Sequence, residues 1–229
     1  MGTSADYPPY EWHLIKDGKD EIIGFDIDIA QAIADELGVE LEVKDMAFDG
    51  LIPALSTGKI DMIIAGMNAT EERKQSVDFT DVYYTQTDIV VIRKEDADKF
   101  TSEDSLKTAK LATQKATVQE TYLLEAFPDA EIQSVPKWNT AIMSLTTGKV
   151  DAVMMVDTVA KQFIAQNDDL MVANFDINST PNAAAIAVAK NGGDFLETVN
   201  NIVNEMKESG KIEELYQLND QIVTDNTAE

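Results

Sequence analysis

Apolar residues recur along this chain in two rhythms, a helical spacing of three and four and short unbroken runs. Glycine or proline marks most changes between them. Residues 25–37 place Ile29, Ala30, Ile33, Ala34 and Leu37 on one helical face, with Gly38 as the stop. Val39, Leu41 and Val43 then alternate with Glu40, Glu42 and Lys44, which predicts a half-buried strand. A short helix bearing Leu51, Ile52 and Leu55 follows, with Asp49 as its cap and Gly58 as its stop. Ile60, Met62, Ile63, Ile64 and Ala65 form a nearly continuous apolar run, as in a strand covered on both faces. Gly66 ends that strand, and Thr70 reads as the cap of a helix whose first turn holds Glu71, Glu72 and Arg73.

Further along, residues 79–84 and 89–92 read as strands, and the acidic, lysine-bearing stretch 94–107 as solvated surface. Residues 110–127 predict a strand, a turn capped by Thr117, and a helix with Tyr122, Leu123, Ala126 and Phe127 inward, ended by Pro128. Residues 158–166 read as a helix and 183–189 as a strand. Residues 194–208 form an amphipathic helix on Leu196, Val199, Val203 and Met206, and residues 211–218 a last helix before a frayed polar tail from Thr224. At the other end Pro8 and Pro9 exclude a helix, leaving Tyr7 and Tyr10 on an irregular loop, either as lids on a core or as a ligand wall.

The pattern also repeats. Leu55-Ser56-Thr57-Gly58-Lys59-Ile60-Asp61 returns 90 positions later as Leu145-Thr146-Thr147-Gly148-Lys149-Val150-Asp151, each copy after an apolar helix and before an apolar strand. The match reaches upstream to Phe48 and Trp138. Two similar α/β halves account for this, against the coincidence of a common helix stop.

Composition narrows the chemistry. A chain of 229 residues has ample core for one large or two small domains, and its 44% apolar content is that of a globular protein. With 18 basic against 42 acidic residues, net −24, it is ill suited to nucleic acid or an anionic membrane, both polyanions. There is no cysteine, and His13 is the single histidine, so thiolate metal sites and multi-histidine metal sites are excluded. No apolar run approaches membrane-span length, and the N-terminal residues do not read as a signal-peptide h-region.

Two anion-friendly turns remain. Arg73, one of two arginines in the chain with Arg93, stands at a predicted helix start, where a guanidinium beside free N–H groups suits a carboxylate or phosphate. The competing reading is a surface arginine paired with Glu71 or Asp78. The second turn offers the amides of Thr117, Val118 and Gln119.

The segments SADYPPYEW, GFDIDIAQAIADELG, FDGLIPAL, GKIDMIIAGMNATEERKQSVDFTDVYY, QKATVQETY and GKVDAV resemble those of the solute-binding proteins of polar amino-acid ABC transporters. This is the bacterial family 3 group of glutamine, arginine and histidine binders. The likeness covers essentially the whole chain. It implies an α/β, two-lobed periplasmic-binding-protein fold of type II, each lobe a mixed sheet flanked by helices, closing by a hinge on an amino acid. Two crossing segments, at 85–88 and 178–184, would divide lobe 1 (1–85 plus 185–229) from lobe 2 (86–184). It implies no cofactor and no metal. The partners would be a free L-amino acid and the membrane permease subunits of an ABC transporter, and the receptor would be a monomer outside the cytoplasm, periplasmic or lipid-anchored as a lipoprotein.

Carried over by position, Arg73 would bind the ligand α-carboxylate, helped by Thr117 and the Val118 amide. Backbone carbonyls at Ala65 or Gly66, with the Asn68 side chain, would face the α-groups, and Tyr7 and Phe48 would wall the side chain. Three departures stand out. Where the family usually places an acid for the α-amino group this chain has Val156, so the expectation falls on the neighbouring Asp157. Ser4 replaces an acid common in basic-amino-acid binders, with Gln114 and Lys115 on the other side, which favours glutamine; arginine is the alternative, through a cation–π sandwich of Tyr7 and Phe48. The family's first strand normally precedes Gly2-Thr3 and is here cut short. Arg73 also has no counterpart 90 residues on, at Phe163. Two other functions use the same scaffold: a dehydratase-like enzyme with Asp6, Glu11 or Asp157 as general acid, and the sensing domain of a receptor.

Overall fold

The computed structural model describes residues 1–227. The chain divides into two compact units, Met1–Thr85 with Ala183–Glu229, and Gln86–Asn182.

The first unit is built on a mixed sheet of β1 (Gly2–Thr3), β5 (Lys44–Asp45), β6 (Met62–Ile63), β7 (Val77–Gln86) and β13 (Asn182–Ala189), in the order β5-β1-β6-β13-β7. β1 runs parallel to both β5 and β6, whereas β13 is antiparallel to β6. Beside it, β2 (Asp6–Tyr7), β3 (Glu11–Lys16) and β4 (Lys19–Ile23) form an antiparallel sheet. Helices α1 (Phe25–Leu37), α2 (Leu51–Ser56), α6 (Gly193–Glu208) and α7 (Lys211–Thr227) complete the unit. The helical face read from residues 25–37 is the buried face of α1, where Ile29 and Ile33 are inaccessible to solvent. Each such side chain stabilises the fold by about 1.5–3 kcal/mol.

Several local expectations change here. The strand expected over 39–44 shrinks to β5, with Val39 58% exposed, because ladder partners exist for Lys44 and Asp45 alone. The buried run 60–65 contributes two strand residues, although all its apolar members are buried. Asp49 lies inside a 3-10 turn, Phe48–Gly50, and α2 starts at Leu51, with Gly50 at its N-cap and no side-chain cap. The helix expected after Thr70 is a single 3-10 turn, Arg73–Gln75, cut off because β7 begins at Val77. Gly2–Thr3 itself supplies the sheet's strand. The last helix continues through the tail to Thr227, while Ala228 and Glu229 lie outside the described residues.

The second unit has a mixed five-stranded sheet, β10 (Glu131–Val135), β9 (Lys110–Gln114), β11 (Ala152–Val156), β8 (Asp88–Arg93) and β12 (Leu170–Val172) in that order. β10 and β11 are parallel to β9, and β8 is antiparallel to both β11 and β12. Its helices are α3 (Val118–Ala126), α4 (Trp138–Thr146) and α5 (Asp157–Ala165). The stretch expected to be plain surface, 94–107, inserts Phe100 and Leu106 into the core with Leu111, Leu123, Phe127 and Met154. Ala126, expected inward, is exposed.

The sequence repeat is a repeat of geometry, one copy per unit. Thr57 and Thr147 donate from Oγ1 to the carbonyls of Pro53 and Met143, at 2.8 and 2.7 Å. Gly58 and Gly148 share a left-handed φ, 68° and 70°, and donate to Leu55 and Leu145. Lys59 and Lys149 then return bonds to Ala54 and Ser144. Thr-Gly-Lys is thus one helix-ending device used twice.

Candidate functional site

In the first unit the turn after β6 assembles most of the expected residues. Ala65 is buried, and Gly66 follows with φ 55°, its N–H donating to Asp26 Oδ2 at 3.0 Å. Asn68 forms a bridge with Ala184 and accepts, through its carbonyl, a 2.8 Å bond from Nη1 of Arg73. Thr70 caps the short turn as expected, its Oγ1 accepting from the Arg73 amide at 3.2 Å. The Arg73 guanidinium lies over the Phe48 ring, 5.4 Å from its centroid. Burial lowers its pKa to about 10 against the opposing pull of Glu72, so it keeps its charge at neutral pH.

The two acids weighed as its surface partners are bonded by other groups. Glu71 is bonded by Lys74 at 2.8 Å, and Asp78 by Lys190 and the amides of Asn191 and Gly192. Tyr7 and Phe48 are both buried. Ser4 is buried with its hydroxyl lacking a hydrogen-bond partner, an opening for a ligand group. Tyr10 is a core lid, inaccessible and packed on Phe25, Tyr84 and Tyr216.

Gly66 is required by two constraints at once. Besides its φ, a Cβ there would stand 3.0 Å from Cε1 of Tyr7. Gly66→Ala is expected to lower stability by about 1–3 kcal/mol and to displace the Tyr7 ring, read as a fall in Tm with weaker ligand binding.

Beneath this turn lies a group that sequence reasoning did not connect with it. Asp26 is inaccessible, its two oxygens accepting from the Tyr83 hydroxyl at 2.9 Å, and Glu11 is buried beside it. Burial raises Asp26 to about 7 despite the bonds from Gly66 and Tyr83, and burial together with Asp26 raises Glu11 well above the carboxylate range. Both shifts are upward, so the folded state binds these protons more tightly than the unfolded chain. The resulting stability is full below about pH 4 and is lost as pH rises through about 7. Asp26→Asn, which cannot ionise, should therefore gain on the unaltered protein between about pH 4 and 8 in paired melting curves. A constant difference would refute the coupling.

In the second unit Gln114, Thr117 and Val118 share the β9–α3 turn. Gln114 donates from Nε2 to the Pro136 carbonyl at 3.2 Å. Thr117 is the expected cap, accepting from the Glu120 amide at 3.2 Å and donating to the Gln114 carbonyl at 2.6 Å. Glu120 reaches back to the Ala116 amide at 2.6 Å, which locks the turn from both sides. Asp157 is not on this turn. It opens α5, with Lys161 bonding its carboxylate at 3.2 Å.

Sequence reasoning also passed over Asp88, which is buried with Oδ1 accepting from Gln119 at 2.7 Å and Asn182 at 2.6 Å, and Oδ2 from Ser179 at 2.9 Å. The signal available was an acid opening an apolar strand run, Asp88-Ile89-Val90-Val91-Ile92. Among the described residues no helix is long and apolar enough to cross a membrane, and no acid or histidine cluster could hold a metal.

Known proteins resemble this chain in sequence and fold. The arginine-binding extracellular protein ArtP of Bacillus subtilis is 34% identical over 94% of this chain and 83% of its own length. A probable histidine-binding protein of Campylobacter jejuni is 36% identical over 92% of this chain and 80% of its own length. The crystal structure of AbpA, an amino acid ABC transporter substrate-binding protein of Streptococcus pneumoniae bound to L-arginine, superposes with a TM-score of 0.93 at 34% identity, covering 97% of this chain and 94% of that one. The sequence profile of the bacterial extracellular solute-binding proteins, family 3, matches residues 1–218, and the chain belongs to that family.

Proposed function

We propose that this chain is a receptor that captures a basic amino acid, L-arginine first, and passes it to the permease subunits of an ABC transporter. The observation that carries this reading is Arg73, a charged guanidinium fixed by the Asn68 carbonyl and the Phe48 face while Glu71 and Asp78 are engaged elsewhere. Such a group takes a carboxylate through two hydrogen bonds. Tyr7 and Phe48 suit a planar cation, and the arginine-binding relatives favour that side chain. Glutamine is the second reading, favoured by the uncharged Ser4.

The receptor works as a monomer outside the cytoplasmic membrane and releases its ligand unchanged. Titration calorimetry against the twenty amino acids tests this, with L-arginine expected to bind tightest. Tighter binding of glutamine would select the second reading, binding of none would overturn both, and turnover of a bound ligand would point to a dehydratase-like activity.

A further inference from the structure

Asp26, at the start of α1, ties together two segments assigned to the ligand. Its amide donates to the Tyr10 carbonyl at 3.0 Å, and the Tyr10 amide donates to the Tyr7 carbonyl at 2.8 Å, so its backbone anchors the Tyr7 loop. Its side chain takes the other segment, with Oδ2 accepting from the Gly66 amide at 3.0 Å. The two segments meet so closely that a Cβ on Gly66 would stand 3.0 Å from the Tyr7 ring. All of these residues belong to the first unit.

The carboxyl group that makes this tie shares a proton. Asp26 and Glu11 are 0% and 1% exposed, and their carboxyl groups are hydrogen-bonded to each other. Two carboxyl groups can bond in this way only when one of them is protonated. The proton sits on Glu11, because Asp26 accepts from Gly66 and Tyr83 as a carboxylate does, whereas no donor reaches Oε2 of Glu11. The other titratable groups facing the pair are Asp6 from β2, Tyr10 from the loop between β2 and β3, and Tyr83 from β7. Asp28, also in the first turn of α1, is bonded by Asn219 of α7 and faces Lys211. His13 of β3 turns to Asp20 and Asp45, and the charged residues of β4 and α6 are exposed.

A second proton, on Asp26 itself, changes the tie. An ionised carboxylate holds an N–H roughly twice as strongly as a neutral carboxyl group does. A turn held less firmly has to be ordered by the ligand, at a cost in affinity. Burial, opposed by the bonds from Gly66, Tyr83 and Glu11, sets this uptake at about pH 7. Acid therefore stabilises the fold and loosens the turn.

We infer that Asp26, with the shared proton kept on Glu11, is a positioning residue that fixes the Tyr7 loop and the Gly66 turn for the ligand and slackens its hold when protonated. The receptor then loads more tightly in neutral and alkaline surroundings than in acid. This rests on the receptor reading above.

Calorimetric titration of the full chain with L-arginine between about pH 5.5 and about pH 8 tests it. Affinity should rise about five- to tenfold over that range, and binding at about pH 7 should release protons, read from the heats in buffers of different ionisation enthalpy. In Asp26→Asn the affinity should stay within about twofold throughout, with no proton release. Tyr83→Phe removes a donor to the carboxylate and should move the midpoint upward by at least about half a pH unit. Tight binding with a flat profile in the unaltered protein would overturn the inference and leave the receptor reading standing. So would an undiminished slope in Asp26→Asn, where His13 and every other titrating group remain. Should Asp26→Asn fail to fold, an unmoved midpoint in Tyr83→Phe overturns the inference instead. A readout without ligand separates the two readings further: the Gly66 amide resonance should titrate at about pH 7, and a resonance that does not move overturns the inference whatever the protein binds. Were glutamine selected by the panel, it would replace L-arginine as the probe. If the unaltered protein binds no amino acid, the receptor reading fails first and this inference with it.

Discussion

Arg73→Ala is expected to weaken L-arginine binding by at least about 2–3 kcal/mol, roughly a hundredfold, while leaving the fold intact. The affinity is lost because a ligand carboxylate deprived of its fork would be left without its charged partner. The fold is expected to survive because burial works against the guanidinium's own charge. Burial holds its pKa down at about 10, while it donates to the Asn68 carbonyl and lies over the face of Phe48. Free-protein melting should therefore move by no more than about 3 °C, the equivalent of about 1 kcal/mol at this size. Arg73→Lys should recover part of the affinity, since it restores the charge but not the planar pair of donors. Unchanged affinity in Arg73→Ala would refute the role given to it, and a large fall in Tm would show that its function is structural.

Arg73 could be picked out in the sequence because it combines a rare residue with a local signature, an apolar run, Gly66 and a capping Thr70. The shape of the turn could not. Whether Thr70 begins a helix or a three-residue 3-10 turn depends on β7 claiming the chain from Val77, a matter of sheet pairing. The repeat and the Thr117 cap were legible because both are local hydrogen-bond devices encoded in consecutive residues.

Acids were the least legible class. Asp26 and Asp88 look in sequence like any other carboxylate in a chain with 42 acidic residues, and their tertiary surroundings bury them. Asp157 attracted attention by its nearness in sequence to Val156. Across the ladder, Asp88 is the residue paired with that valine, and register between distant strands cannot be read from one sequence. Phe100 and Leu106 were hidden in the same way, by a charged stretch whose two apolar members turn inward.

Arg93→Ala should do the opposite of Arg73→Ala, removing stability and sparing affinity. Arg93 ends β8 with a side chain 13% exposed, and its Nη1 donates 2.7 Å bonds to the carbonyls of both Leu145 and Val150. Its Nη2 pairs with Asp96 at 2.5 Å and lies 3.7 Å from Asp151. Leu145 is in the last turn of α4, and Val150 leads into β11, so one guanidinium closes the second unit's copy of the repeated helix stop. In the first unit's copy an exposed lysine, Lys44, reaches the Lys59 carbonyl at 3.1 Å and does less. Alanine at 93 would strand two carbonyls and two carboxylates at a largely buried point, a loss of about 3–5 kcal/mol. At this chain length that lowers Tm by roughly 10 °C. Arg93→Lys should recover less than half of it, because a single ammonium cannot serve two carbonyls and a carboxylate in one plane. Calorimetric melting checks the loss, and titration with L-arginine well below the new midpoint should give an affinity within about threefold of the original, since Arg93 touches none of the residues assigned to the ligand. Were Arg93→Ala to melt with the unaltered protein, the second helix stop would be held by Thr147, Gly148 and Lys149 alone, as the first is held almost entirely by Thr57, Gly58 and Lys59.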